Sequence, residues 1–174
     1  AMAMRHDDDV IASGEETDVA AVTKRALAKA ATICERRGVR LTTLRSRVLE
    51  LVWQNYKRAV GAYEVLDLLR EERRGAAPPT VYRALDFLIE QGLVHRLESL
   101  NSFVACRYPE VSHAPQFMIC SSCGAVVELG AAHIEEAIKE RVNQTGFRVN
   151  RCTIEVEGVC PNCQQSGSDN PEWN

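Results

Sequence analysis

The chain has 174 residues, 45% hydrophobic and 26% charged, with a net charge of −3. That length suits one compact domain or two small ones, and no apolar run approaches the roughly 18 residues a membrane-spanning helix needs, which excludes a membrane protein of that kind. The charge is split: residues 24–107 carry 16 Lys/Arg against 9 Asp/Glu, or +7, whereas residues 1–23 and 108–174 are each −5. A basic middle suits a phosphate backbone, and a solvated charged surface accounts for the same numbers.

The opening "AMAMRHDDDVIASGEETD" lacks the apolar stretch and cleavage site of a secretion signal, so the expected location is cytoplasmic. Its acidity and scarcity of large apolar groups predict a disordered tail over residues 1–20. The stretch "VTKRALAKAATICERRG" then places Ala26, Leu27, Ala30, Ala31 and Cys34 on one helical face, with Gly38 as a stop. Cys34 reads as a small core residue. In "TTLRSRVLELVWQNY", threonines cap a second helix that aligns Leu44, Val48, Leu51 and Val52. A third helix, from about Ala62 to Arg73, has an apolar side that includes Tyr63, Leu66 and Leu69.

"GAAPPTVYRALDFLIEQG" supplies a loop, two prolines, a fourth helix and a closing glycine. Val81, Ala84, Leu85 and Leu88 share its core face, so Thr80, Tyr82, Arg83 and Asp86 fall on the wet one. A phenol and a guanidinium near a helix N-terminus suit base edges and phosphates in a major groove; surface decoration is the plain alternative. After Gly92, "LVHRLESLNSFVACR" alternates like two strands and a turn. A turn centred on Leu100-Asn101 makes partner numbers sum to 201 and sets His95 opposite Cys106, with β-carbons about 4.5–5.5 Å apart. Leu93, Leu97 and Val104 share that face, which should be buried. Helices followed by a β-hairpin describe a winged helix over residues 21–107.

Residues 108–115 read as a hinge linker with prolines and no periodicity. Beyond it, residues 116–165 give a strand to about Cys120, a second near Ala125–Leu129, a helix from Ala131 to Thr145 and a third strand from Phe147. A bulge near Asn150-Arg151 should reconcile Phe147 and Val149 with the out-of-phase Cys152, Ile154 and Val156. Residues 166–174 read as a second disordered tail. The expected fold class is α+β: an N-terminal winged helix-turn-helix domain followed by a small α/β domain.

Seven cysteines without an export signal make structural disulfides an unpromising reading and favour metal or redox chemistry. Cys120-x2-Cys123 and Cys160-x2-Cys163, separated by 36 residues, offer four thiolates in two chelating pairs, the ligand set of a closed structural zinc site. A redox reading needs a reactive pair opening a helix in a thioredoxin-like unit, and neither pair precedes a convincing amphipathic helix. Four further donors, His95, Cys106, His113 and Glu128, offer a second tetrahedral set across the hinge, although each alone has an ordinary structural reading. His133 and His6 read as solvated, and Cys152 as packed first and a metal ligand second.

In these residues the chain resembles the ferric uptake regulator family, and within it the zinc-uptake branch. "RGVRLTTLRSRVLEL", "PPTVYRALDFLIEQGLVHRLES", "ICSSCGAVVEL" and "GVCPNC" resemble its successive signatures over roughly residues 22–165. The resemblance implies no enzyme and no small-molecule substrate. It implies a homodimer, paired through the C-terminal domains, that binds palindromic double-stranded DNA. Two Zn2+ per chain are implied: a structural ion at the four cysteines and a regulatory ion at His95, Cys106, His113 and Glu128. Tyr82 and Arg83 match the recognition helix, with Thr80, Tyr63 and Arg45 as further DNA-binding candidates. The expected function is a zinc-responsive repressor of zinc-uptake genes, with an iron or peroxide sensor, a cysteine redox protein and a zinc-stapled scaffold as rivals. A single histidine in "HAPQFMIC", where iron-sensing members have a run, and a thiolate at Cys106 favour zinc. Thr43 stands where relatives often have proline, and Cys152 near a position where they often have histidine, which puts a third metal site in question.

Overall fold

The computed structural model describes residues 18–72, 74–111, 113–130 and 132–165, so most of the expected tails, with His6, lies outside the described residues. The first helix, α1 (Val19–Arg36), begins inside the expected tail because the Asp18 carboxylate accepts the N–H groups of Ala20 and Ala21. It buries Thr23, Ala30, Ile33 and Cys34, while Ala31, expected in the core, faces solvent. Helix α2 (Thr43–Gln54) starts where the Thr42 hydroxyl accepts the Arg45 N–H at 3.3 Å, so the threonine pair supplies the start that proline would. It buries Val48, Leu49, Leu51, Val52 and Trp53, with Leu44 half-buried.

Helix α3 (Ala62–Glu72) buries Ala62, Val65, Leu66 and Leu69, but Tyr63 leaves the apolar side and is 64% exposed. Helix α4 (Pro78–Glu90) opens on its two prolines, whose missing N–H groups cost nothing in a first turn. Val81, Ala84, Leu85 and Leu88 are buried as the periodicity requires, and Phe87 joins them. At roughly 1.5–3 kcal/mol for each fully buried Val or Leu, this shared core is what holds the helices together.

Strands β1 (Val94–Leu97) and β2 (Ser102–Ala105) form the expected antiparallel wing, in a corrected register. His95 pairs with Val104, and the Cys106 N–H donates to the Leu93 carbonyl at 3.0 Å. Asn101 is the reason. At φ 46° it closes a turn over residues 98–101, its N–H donating to the Glu98 carbonyl and its side-chain oxygen accepting from Arg96 at 2.8 Å. The partner sum moves from 201 to 199, one full side-chain period, so every residue keeps its face. Leu93, His95 and Leu97 still share a side with Val104 and Cys106.

The second half contains β3 (Gln116–Cys120), β4 (Val126–Leu129), α5 (Ala132–Thr145), β5 (Ile154–Gly158) and the short α6 (Pro161–Gln165), which the sequence did not predict. The sheet order is β4-β3-β5, with β3 antiparallel to β4 and parallel to β5. Helix α5 supplies the crossover that a parallel pair needs. The expected strand from Phe147 and its bulge do not form; Phe147 is 78% exposed and β5 begins only at Ile154. The Ile154 N–H donates to the Pro115 carbonyl at 3.0 Å, and Pro115 has no N–H with which to continue the ladder upstream.

The wing packs between the two halves. Leu97 and Val104 join Phe117, Ile119 and Val126 in a second apolar cluster, with Ala59 against it. Two backbone links flank that cluster: the Val126 N–H donates to the Lys57 carbonyl at 2.9 Å, and Val60 bridges Phe103. Register places Glu128, Phe117 and Glu155 in one row across the three strands, on the face toward the wing.

Candidate metal centres and nucleic-acid interface

Strand β3 ends on Cys120, and a turn finished by Gly124, at φ 72°, returns Cys123 beneath it. Cys160 precedes α6 and Cys163 lies within it, beside the end of β5. The four sulfurs lie within 4.8 Å of one another. Cys123 and Cys160 are 3.7 Å apart, which matches the roughly 3.8 Å between corners of a tetrahedron with Zn–S of about 2.3 Å. The same separation is far beyond a disulfide bond, and all seven cysteines are free.

The electrostatics explain what such a cluster requires. Backbone N–H groups of Cys160 and Cys123 hold the Cys120 thiol down at about 6, the first donating to its sulfur at 3.3 Å. Neighbouring sulfurs of Cys160 and Cys123 push Cys163 up to about 12. Four sulfurs this close do not all ionise unaided. A dication that takes four thiolates fits this donor set.

The second centre draws its donors from three segments: the wing, with His95 on β1 and Cys106 just after β2, the linker with His113, and β4 with Glu128. Their ligand atoms also lie within 4.8 Å of one another. Glu128 Oε1 is 2.8 Å from His113 Nε2 and 3.2 Å from His95 Nε2, while Cys106 Sγ is 3.9 Å from both His113 Nε2 and Glu128 Oε1. Cys106 and Glu128 are buried and the two imidazoles half-buried.

Burial opposes charge on His95, yet Cys106 and Glu128 outweigh it and raise the imidazole to about 9. The same two partners raise His113 to about 11. Burial pushes Glu128 up, but His113, His95 and the Arg107 N–H overcome it and hold the carboxyl down at about 2. Cys106 is likewise lowered: burial acts against its thiolate and His113 and His95 prevail. These neighbours favour charge on the carboxylate, the thiolate and the imidazoles alike, an arrangement in which a metal cation can take the place of the imidazole protons.

Outer contacts fix these donors. The Arg107 N–H donates to Glu128 Oε2 at 2.8 Å, leaving Oε1 for the centre. His113 Nδ1 lies 2.8 Å from the Val111 carbonyl, which assigns its proton to that nitrogen and leaves Nε2 facing the other donors. Phe117 packs edge-on against the His95 ring, with centroids 5.6 Å apart. The sequence gives no sign of these supports, because the backbone groups among them carry no residue signature and the Phe117 contact depends on tertiary packing. His95 and Cys106 meet across the hairpin diagonally, not as a direct pair.

Cys34 is buried in the helical core, and burial raises its thiol. His133 is exposed and Cys152 half-buried, and neither joins a metal-binding group among the described residues.

On the helical half, Tyr63 and Tyr82 are 64% and 40% exposed, Arg83 and Asp86 are exposed, and Thr80 is half-buried in the first turn of α4. Arg45, the fifth candidate, lies on α2. Its half-buried guanidinium lies 3.6 Å from the centroid of the Phe87 ring and donates to the Arg40 carbonyl at 2.7 Å, a contact that joins α2 to α4.

The chain is similar to known proteins over most of its length. The ferric uptake regulator family model matches residues 36–157. A zinc uptake regulation protein of Escherichia coli (strain K12) is 45% identical over 142 residues, 81% of this chain and 82% of that protein. A zinc uptake regulation protein of Mycobacterium tuberculosis (strain ATCC 25618 / H37Rv) is 31% identical over 128 residues, 73% of this chain and 96% of that one. The structure of a zinc uptake regulator complexed with zinc and DNA superposes with a TM-score of 0.79 at 44% identity, covering 83% of this chain and 96% of that chain. On the extent of these matches, the chain belongs to the ferric uptake regulator family.

Proposed function

We propose that this protein is a zinc-responsive transcriptional repressor, working in the cytoplasm as a homodimer on palindromic operators of zinc-uptake genes. One observation carries the reading: four donors suited to zinc converge within 4.8 Å from the wing, the linker and the second half. Relatives called zinc uptake regulation proteins, and the similar chain bound to zinc and DNA, support it. The units are a winged helix over residues 21–107, a hinge over 108–115 and a dimerising α/β domain over 116–165.

Each chain holds two zinc ions in this reading, one at Cys120, Cys123, Cys160 and Cys163, the other at His95, Cys106, His113 and Glu128. Bound zinc supplies the charge that ties donors from separate segments to one point. Cys106 supports the choice of zinc over Fe(II), since a thiolate suits the softer ion. With the wing fixed to the dimerising half, the two recognition helices keep the spacing of one palindrome. Tyr63, Thr80, Tyr82, Arg83 and Arg45 meet the DNA, and Arg45 also touches the recognition helix at Phe87.

The coupling is reciprocal: zinc tightens operator binding by the factor with which operator tightens zinc binding. About 3 kcal/mol is roughly 150-fold, enough for a switch. Selection from a pool of random duplexes tests the reading, once in buffered zinc and once with a chelator that spares the four-cysteine site. A palindrome enriched only with zinc is the expected result; enrichment in neither condition overturns it, and preferential response to Fe(II) in metal competition favours the iron-sensing alternative.

A further inference from the structure

Glu155 stands half-buried on β5 at the far end of the row that begins with Glu128 and passes through Phe117. Its Oε1 accepts the Glu98 N–H at 2.7 Å and its Oε2 the Ser99 N–H at 3.1 Å. Both donors belong to the turn of the wing. A carboxylate held by two backbone N–H groups makes charge-assisted bonds, stronger than neutral ones. The nearby ion pair of Arg151 and Glu98, 2.9 Å long, crosses the same gap, but both side chains are more than half exposed and such pairs contribute little.

The row therefore meets the wing at three points. Glu128 reaches His95, Phe117 packs with Leu97 and Val104, and Glu155 grips the turn. Only the first point belongs to the metal centre. The other two act on the same hairpin that delivers His95 and, through the residue after β2, Cys106.

We propose that Glu155 is a positioning residue for the hinge centre, holding the wing turn so that His95 and Cys106 stand opposite Glu128 before the metal arrives. The inference rests on the hinge centre being the regulatory site. A centre assembled only when the wing is docked binds metal with an apparent affinity reduced by the fraction of molecules that are docked. Removing the grip lowers that fraction without touching a ligand. The cost then falls on zinc affinity, and saturating zinc restores docking and with it operator affinity.

The test uses full-length protein carrying zinc at the four cysteines, titrated with buffered zinc against a chromophoric competitor, without DNA. Glu155→Gln, whose amide cannot accept both N–H groups as the carboxylate does, should weaken hinge zinc binding about tenfold. Glu155→Asp, too short to span both donors, should fall between it and the wild type, and Glu157→Gln on the same strand should match the wild type. At saturating zinc, operator affinity of Glu155→Gln should stay within about twofold of wild type. An unchanged zinc affinity in both Glu155 variants overturns the inference, as does loss of operator affinity at saturating zinc with the zinc midpoint unmoved. Near-ultraviolet circular dichroism checks the fold, and the Asp variant carries the test if the Gln variant does not fold. Absence of any zinc-dependent DNA binding by the wild type is a separate result, and counts against the repressor reading alone.

Discussion

The two candidate metal centres are built from opposite kinds of placement. The four sulfurs all come from the second half, where β3, β5 and α6 already lie together, so an ion there ties that half to itself. The hinge donors come from the wing, the linker and β4, so an ion there ties one half to the other. Uniform soft donors within one packing unit make a staple. Mixed donors shared between two units suit a sensor, because filling such a site would change which arrangements of those units are accessible.

The largest test of this contrast is Cys120→Ala. Structural zinc contributes roughly 10–16 kcal/mol in small zinc domains, comparable with or above a whole domain's stability of about 5–15 kcal/mol. The second half should unfold and its tightly held zinc be lost, read by far-ultraviolet circular dichroism and metal content. Cys106→Ala should keep the fold and the structural zinc yet lose about 100-fold in zinc-dependent operator affinity, measured by fluorescence anisotropy. Equal loss of structure in both variants defeats the distinction between staple and sensor.

Arg83→Ala tests whether sensing and reading are separate. It should cost about 1–3 kcal/mol of operator affinity at saturating zinc, while zinc affinity without DNA stays unchanged. The smallest effect belongs to Arg151→Ala. Although it removes an ion pair between the halves, exposure limits its expected effect on denaturant stability to less than about 1 kcal/mol, and a larger loss would assign the hold on the wing turn to Arg151 rather than Glu155.

Local periodicity made much of the fold legible. The core positions of α4 and the buried face of the wing follow from residue spacing, because neighbours along a helix or strand are fixed by backbone geometry. Two readings failed where a distant or unusual residue intervened. Asn101 moved the hairpin register, and Pro115 ended the ladder that residues 147–153 were expected to join. Each depends on a backbone angle or a contact partner that residue type alone leaves open.

The candidate centres divide in the same way. Paired cysteines two residues apart declare themselves, since chelation by each pair is a local property. The hinge set is visible in the sequence only as four scattered donors, and its convergence follows from the wing packing on the sheet through Leu97, Val104 and Phe117. By itself the sequence determined most of the elements, most of the faces they bury and the candidate ligands. Tertiary structure alone decided that Glu128, Phe117 and Glu155 share a row, and that this row meets the wing, because strand pairing joins residues whose separation along the chain carries no periodic signal.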